Sequence, residues 1–149
     1  MGWGWGLSLI ALTIAIHTAG VVAMAIVTAG FTTRWVEMRA LALKHMILIV
    51  VGVIGAVGLP LAALHVAEAI VWALAYWWVG ALASLDDAMF YSVNSITTLG
   101  DSGLTLPPEW RIMGALEAAD GMLLFGISTA FTFAVMQACW SILRKPSGP

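Results

Sequence analysis

One stretch constrains the fold of this chain more than any other. It is Asp86 to Gly103, reading DDAMFYSVNSITTLGDSG, set between two very apolar segments. Its first part, Asp86 to Ile96, suits a short amphipathic helix, with Asp86 and Asp87 at the end where a helix favours negative charge. Its second part, Thr97 to Gly103, holds two glycines, two threonines, a serine and an aspartate, so it cannot continue as ordinary helix. Irregular backbone at membrane depth is tolerated only where protein buries it or water lines it. A short helix that enters a membrane and returns as exposed backbone is one way to build a cation filter, because carbonyl oxygens replace an ion's water.

The segments on either side make the membrane setting unavoidable. Apolar residues are 62% of the chain, charged residues only 9%, and mean hydropathy is +0.99, where a soluble domain carries about a quarter charged residues. Trp3 to Phe31 is long enough to span a bilayer, which takes about 20 residues. No Lys or Arg precedes its apolar core, which argues against a secretory signal. The single cysteine, Cys139, permits no intrachain disulfide and reads as a small core residue. A net charge of −2 and the lack of a basic, aromatic-interleaved patch leave no reading as a nucleic-acid partner.

Charge sets the expected topology. Thr32 to His45 is the most basic stretch, with Arg34, Arg39 and Lys44 against Glu37, and Arg144-Lys145 closes the chain. By the positive-inside rule both face the cytoplasm, so Met46 to Ala83 crosses once, with an outside N-terminus and a cytoplasmic C-terminus. That segment then reads as one long helix, bent or loosened near Pro60. Trp72, Tyr76, Trp77 and Trp78 gather near its end as an interface belt. After the Asp86–Gly103 stretch, Pro107-Pro108 forces a turn and Pro108 to Trp110 opens the last helix. The expected units are 1–45, an N-terminal transmembrane helix with its basic loop, and 46–149. The second contains an outer helix 46–83, a short helix 86–97, a loop 98–103 and an inner helix 108–144. No span carries Arg or Lys at every third position, so no voltage sensor is encoded.

With these residues in view, the chain resembles the pore domain of tetrameric potassium channels, in the small prokaryotic form with an extra N-terminal helix. Thr97 to Gly103, TTLGDSG, stands where the family has TTVGYGD. Phe90, Tyr91, Ser92 and Val93 look like the family's pore helix; Trp110-Arg111 opens a helix in which Gly121 falls on the hinge glycine, and Gly126 and Thr129 also fit. The resemblance covers about Leu61 to Leu143. It implies an all-α membrane protein with three transmembrane helices and a re-entrant pore helix, assembled as a homotetramer in a cell membrane. It implies passive cation conduction and no enzymatic activity. Thr97, Thr98, Leu99, Gly100, Asp101, Ser102 and Gly103 would form the filter, and Met122, Phe125, Thr129 and Phe133 would line the cavity. Gly121 would be the gating bend, and no cofactor or metal beyond permeant cations is implied.

The filter letters depart from the family's in its outer half. Asp101 replaces the tyrosine that packs behind the filter and is similar to the aspartate of non-selective sodium- and potassium-conducting relatives. Ser102 replaces a glycine of left-handed backbone, so serine costs about 1 kcal/mol of strain or the chain takes another path. Gly103 and Asn94 stand where the family has an aspartate–glutamate brace. Weak selectivity is expected, and four Asp101 carboxylates on one axis would also attract a divalent cation such as Ca2+ at the outer mouth. Asp86, Asp87 and Glu109 add negative charge on the same side. A non-conducting scaffold is the alternative within this fold. Gly100 to Gly103 also spells the GDSG of trypsin-like proteases, but those need a β-barrel with separate His and Asp partners.

Five ionisable residues lie inside apolar segments: His17, His65, Glu68, Glu117 and Asp120. Met122, Phe125, Thr129 and Phe133 form one helical stripe; Glu117, Gly121, Leu124 and Ser128 form another with Asp120 beside it. The acids are therefore expected to face neighbouring helices, away from the ion path. His65 and Glu68 share a face at i and i+3, with His17 as a third member. The readings are a polar clamp fixing helix register, a protonation-sensitive gate, or, from another class, a membrane metalloenzyme built on these five residues. Against the last stands a single His-x-x-Glu pairing with no second copy.

Overall fold

A computed structural model of the chain describes residues 2–35, 43–100 and 102–143. The middle of the basic loop, Asp101 and the Arg144-Lys145 tail lie outside the described residues. The described residues are helical without strands: α1 (Gly2–Trp35), α2 (Leu43–Trp78), α3 (Leu85–Ile96) and α4 (Arg111–Leu143). α1, α2 and α4 are each long and apolar enough to cross a membrane, and α3 is not.

Hydrogen-bonded pairs between the helices give their directions. Thr13 and His17 of α1 meet Asp120 and Ser128 of α4, so these two helices run parallel. Trp72 and Tyr76 of α2 meet Asp120 and Glu117, so α2 runs opposite to both. α3 packs on α2 and α4 at the end where α1 and α4 begin.

α2 continues unbroken through Pro60, a single helix. It stops at Trp78, five residues short of the expected 83. The cause is a local one: Ala81 N–H bonds the Tyr76 carbonyl (2.9 Å) and Gly80 N–H bonds that of Trp77 (3.1 Å), with Gly80 at φ +70°. These are the paired bonds and left-handed residue that end a helix on glycine. α4 begins at Arg111 instead of Pro108, because Trp110 N–H turns back to the Pro107 carbonyl (2.9 Å) before regular helix bonding starts. α3 starts where Ser84 accepts a hydrogen bond from the Asp87 N–H (3.0 Å), with Asp86 and Asp87 in the first turn.

Burial is inverted relative to a soluble bundle. Large apolar side chains such as Ile26, Leu48, Leu59 and Trp78 are exposed, while Thr13, His17, Glu68, Ser92, Glu117 and Asp120 are wholly buried. Hydrocarbon offers no reason to hide leucine and a strong one to hide a carboxylate, so in lipid the polar groups hold helices together. Trp72, Tyr76, Met113 and Leu124 fill the space around them.

Candidate functional site

Two features stand out, one irregular and exposed, the other polar and buried.

The first is the turn that ends α3. Leu99 N–H bonds the Asn94 carbonyl (2.9 Å) and Thr98 N–H bonds that of Ser95 (2.9 Å), the same paired pattern that closes α2. Gly100 N–H also reaches the Asn94 carbonyl (3.3 Å). The left-handed position of this pattern belongs to Thr98, at φ +59°. Glycine normally holds it, and a β-branched residue there is a true outlier. N–H groups of Thr97 to Gly100 are thus spent on the helix end, and no donor among the described residues bonds their carbonyls. All four residues are exposed, Leu99 at 73%.

Beyond Asp101 the path departs from the family pattern. The left-handed angle falls on Gly103 (φ +67°) as well as Gly100 (φ +77°), and Ser102 has none. Ser102 Oγ instead lies 3.3 Å from both the Leu104 N–H and the Leu104 carbonyl. Of the two outcomes open to serine, the structure takes the second: the backbone goes another way. Asn94 is buried and donates to the Phe90 carbonyl (2.8 Å) within its own helix.

The second feature is a three-step polar ladder through the bundle. At the α3 end, Glu117 accepts hydrogen bonds from Tyr76 OH (2.8 Å) and Ser92 OH, tying α4 to α2 and to the short helix. One turn on, Asp120 Oδ2 accepts from Thr13 OH (2.6 Å) and Trp72 Nε1–H (3.0 Å), tying α4 to α1 and α2. Further on, His17 Nδ1 lies 2.8 Å and His65 Nδ1 3.2 Å from the two oxygens of Glu68. Ser128 Oγ stands 3.1 Å from the Nε2 of each ring. All five expected ionisable residues therefore belong to this ladder, four of them buried and His65 half-buried. The partners Thr13, Trp72, Tyr76, Ser92 and Ser128 escaped sequence reading; only the helical spacing of Ser128 from Glu117 and Asp120 signalled any of them.

On the opposite side of α4, Met122, Phe125, Thr129 and Phe133 are exposed. Phe125 is stacked on the His65 ring at 4.1 Å, so one member of that stripe also covers the ladder's far end. Gly121 has a packing role: any Cβ there would overlap the Ile96 carbonyl oxygen, and α4 continues unbroken through it. Glycine at this place lets the end of α3 lie directly on α4.

Comparison with protein-family models, curated proteins and solved structures gives no match.

Proposed function

We propose that the chain is one subunit of a tetrameric channel passing cations, with four Thr97–Gly103 segments meeting on a common axis. The observation that carries this reading is the end of α3. In a chain with three membrane-length helices, the exposed turn Thr97 to Gly100 commits its N–H groups to the end of α3, and no donor among the described residues claims its carbonyls. Lipid does not tolerate bare carbonyls, so the segment needs further protein or water around it. Copies of the same chain closing a ring supply both, and a ring of carbonyls is what replaces a cation's hydration shell.

Three further observations support it. Thr98 holds a left-handed angle that costs about 1–3 kcal/mol, the kind of strain found where function requires a backbone path. The C-terminal, negative end of α3 points into this turn, while Asp86 and Asp87 are exposed at the other end of the same helix. The Met122–Phe133 stripe is exposed on the face of α4 away from the polar ladder, as a face lining a shared cavity would be. In this reading Asp101 supplies carboxylates at the mouth, and the altered path at Ser102 and Gly103 makes discrimination between K+ and Na+ weak. Gly121 seats the end of α3, and so the filter turn, directly on α4.

The test is flux from liposomes of purified protein in K+, Na+ and Ca2+, with native mass of the assembly. Tetramers that pass both monovalent ions are expected. A monomer overturns the proposal, tetramers that pass nothing leave the scaffold reading, and a strong preference for K+ refutes the weak-filter argument.

A further inference from the structure

The ring of His17, Glu68, His65 and Ser128 has one more contact than its neutral rings and hydroxyl have protons, a gap that a bound cation fills. Each imidazole presents Nδ1 to the same carboxylate and Nε2 to the same hydroxyl. Two neutral imidazoles, one hydroxyl and one ionised carboxylate bring three protons to these four contacts. One contact is therefore left with none. The structure shows which: His65 Nδ1 and Glu68 Oε2 are both buried, 3.2 Å apart, and neither has a hydrogen-bond partner among the described residues. Both sit on α2 at i and i+3, side by side instead of end to end. A proton on His65 Nδ1 would not point along the line to the oxygen.

Placing both protons on Nε2 removes the difficulty at the serine. Its oxygen has two lone pairs, and each accepts one N–H. Both Nδ1 lone pairs and the Glu68 carboxylate then converge with nothing between them. One ligand atom from each of these three residues lies within 4.8 Å of the others. A tetrahedral ion with bonds near 2.1 Å needs about 3.4 Å between ligand atoms, so the 2.8 and 3.2 Å imidazole–carboxylate contacts open slightly and any longer pair closes, both within reach of side-chain rotation.

We infer that His17, His65 and Glu68 form a binding site for one divalent transition-metal ion, zinc or ferrous iron by its two imidazoles and one carboxylate. Ser128 acts as the outer hydrogen-bond acceptor that fixes both rings with Nδ1 bare, a service metal-bound histidines regularly need. The ion joins α1 to α2, with α4 holding the rings from behind. Its second positive charge is balanced by Asp120, which lies one turn away on the bonds of Thr13 and Trp72. Phe125 stacks over His65 and covers the site from the side. This site needs no conduction to exist, so its test is separate from the flux assay.

Full-length protein, freed of any polyhistidine tag and stripped with chelator in lipid nanodiscs, is titrated with Zn2+ and with Co2+ as a visible-absorption probe. One ion per chain is expected. Ser128→Ala should weaken binding by about 10–100-fold, and His65→Gln by at least that much. His45→Ala, a histidine exposed elsewhere on α2, should leave binding unchanged. Wild type taking up less than half an ion per chain would overturn the inference in favour of a proton-holding ring. So would Ser128→Ala and His65→Gln proteins that bind as tightly as wild type, or loss of the site in His45→Ala.

Discussion

The hydrogen bond from Tyr76 to Glu117 offers a sharp test of how this bundle is held together. Tyr76→Phe removes one hydroxyl and keeps the ring, its edge-on contact with Tyr91 at 5.2 Å and its place in the core. Tyr76 donates to Glu117 Oε2, and Ser92 donates to the other oxygen. Hydrogen bonds between membrane helices average only about 0.6 kcal/mol, with a maximum near 1.7. Leaving a buried acceptor without its donor costs about 1–3 kcal/mol. The overlap of those ranges puts Tyr76→Phe at about 1–1.7 kcal/mol, a shift of about 5- to 18-fold in the unfolding equilibrium.

Reversible unfolding in mixed micelles, followed by circular dichroism, measures this directly. The partner is identified by repeating Tyr76→Phe on a Glu117→Leu background, where no acceptor remains and the cost should fall below about 0.5 kcal/mol. A Tyr76→Phe protein within about 0.3 kcal/mol of wild type would refute the reasoning, since independent sites agree to that level. The same cost on both backgrounds would refute it too, by showing that the hydroxyl acts elsewhere.

Two pairs of substitutions test the backbone arguments through opposite signs. Gly121→Ala drives a methyl into the Ile96 carbonyl and should cost about 1–3 kcal/mol. Gly126→Ala meets nothing within 4 Å and should stabilise α4 by up to about 1 kcal/mol. Equal effects in the same unfolding assay would remove the packing role of Gly121. At the two helix ends of matching geometry, Gly80→Ala should lose about 1 kcal/mol, while Thr98→Gly should gain about as much. A destabilised Thr98→Gly protein would mean that threonine is not strained there.

Much of the outline was legible in the residues because it depends on neighbours in sequence. Spanning length is a local property, and so is the Ser84–Asp87 start of α3. The stop at Gly80 was equally local, since glycine after a run of helix formers is a common end; the tryptophan belt drew attention past it. The altered path at Ser102 was foreseen only as one of two outcomes, because relief of strain depends on what Leu104 and Gly103 do together.

The polar ladder divides differently. Spacing along α4 separates Glu117, Asp120 and Ser128 from the Met122–Phe133 stripe, and i, i+3 spacing pairs His65 with Glu68. Sequence alone thus determined which residues need partners and which share a helix face, since a single helix carries both facts. It did not say that Thr13 meets Asp120 across 107 positions, or that His17 meets Glu68 across 51. Nor did it show that Ser128 holds both rings. Apart from these few polar positions the three long helices are apolar, so little else marks how they rotate against one another. That rotation is decided only when the carboxylates and imidazoles find one another in a medium that offers them nothing else.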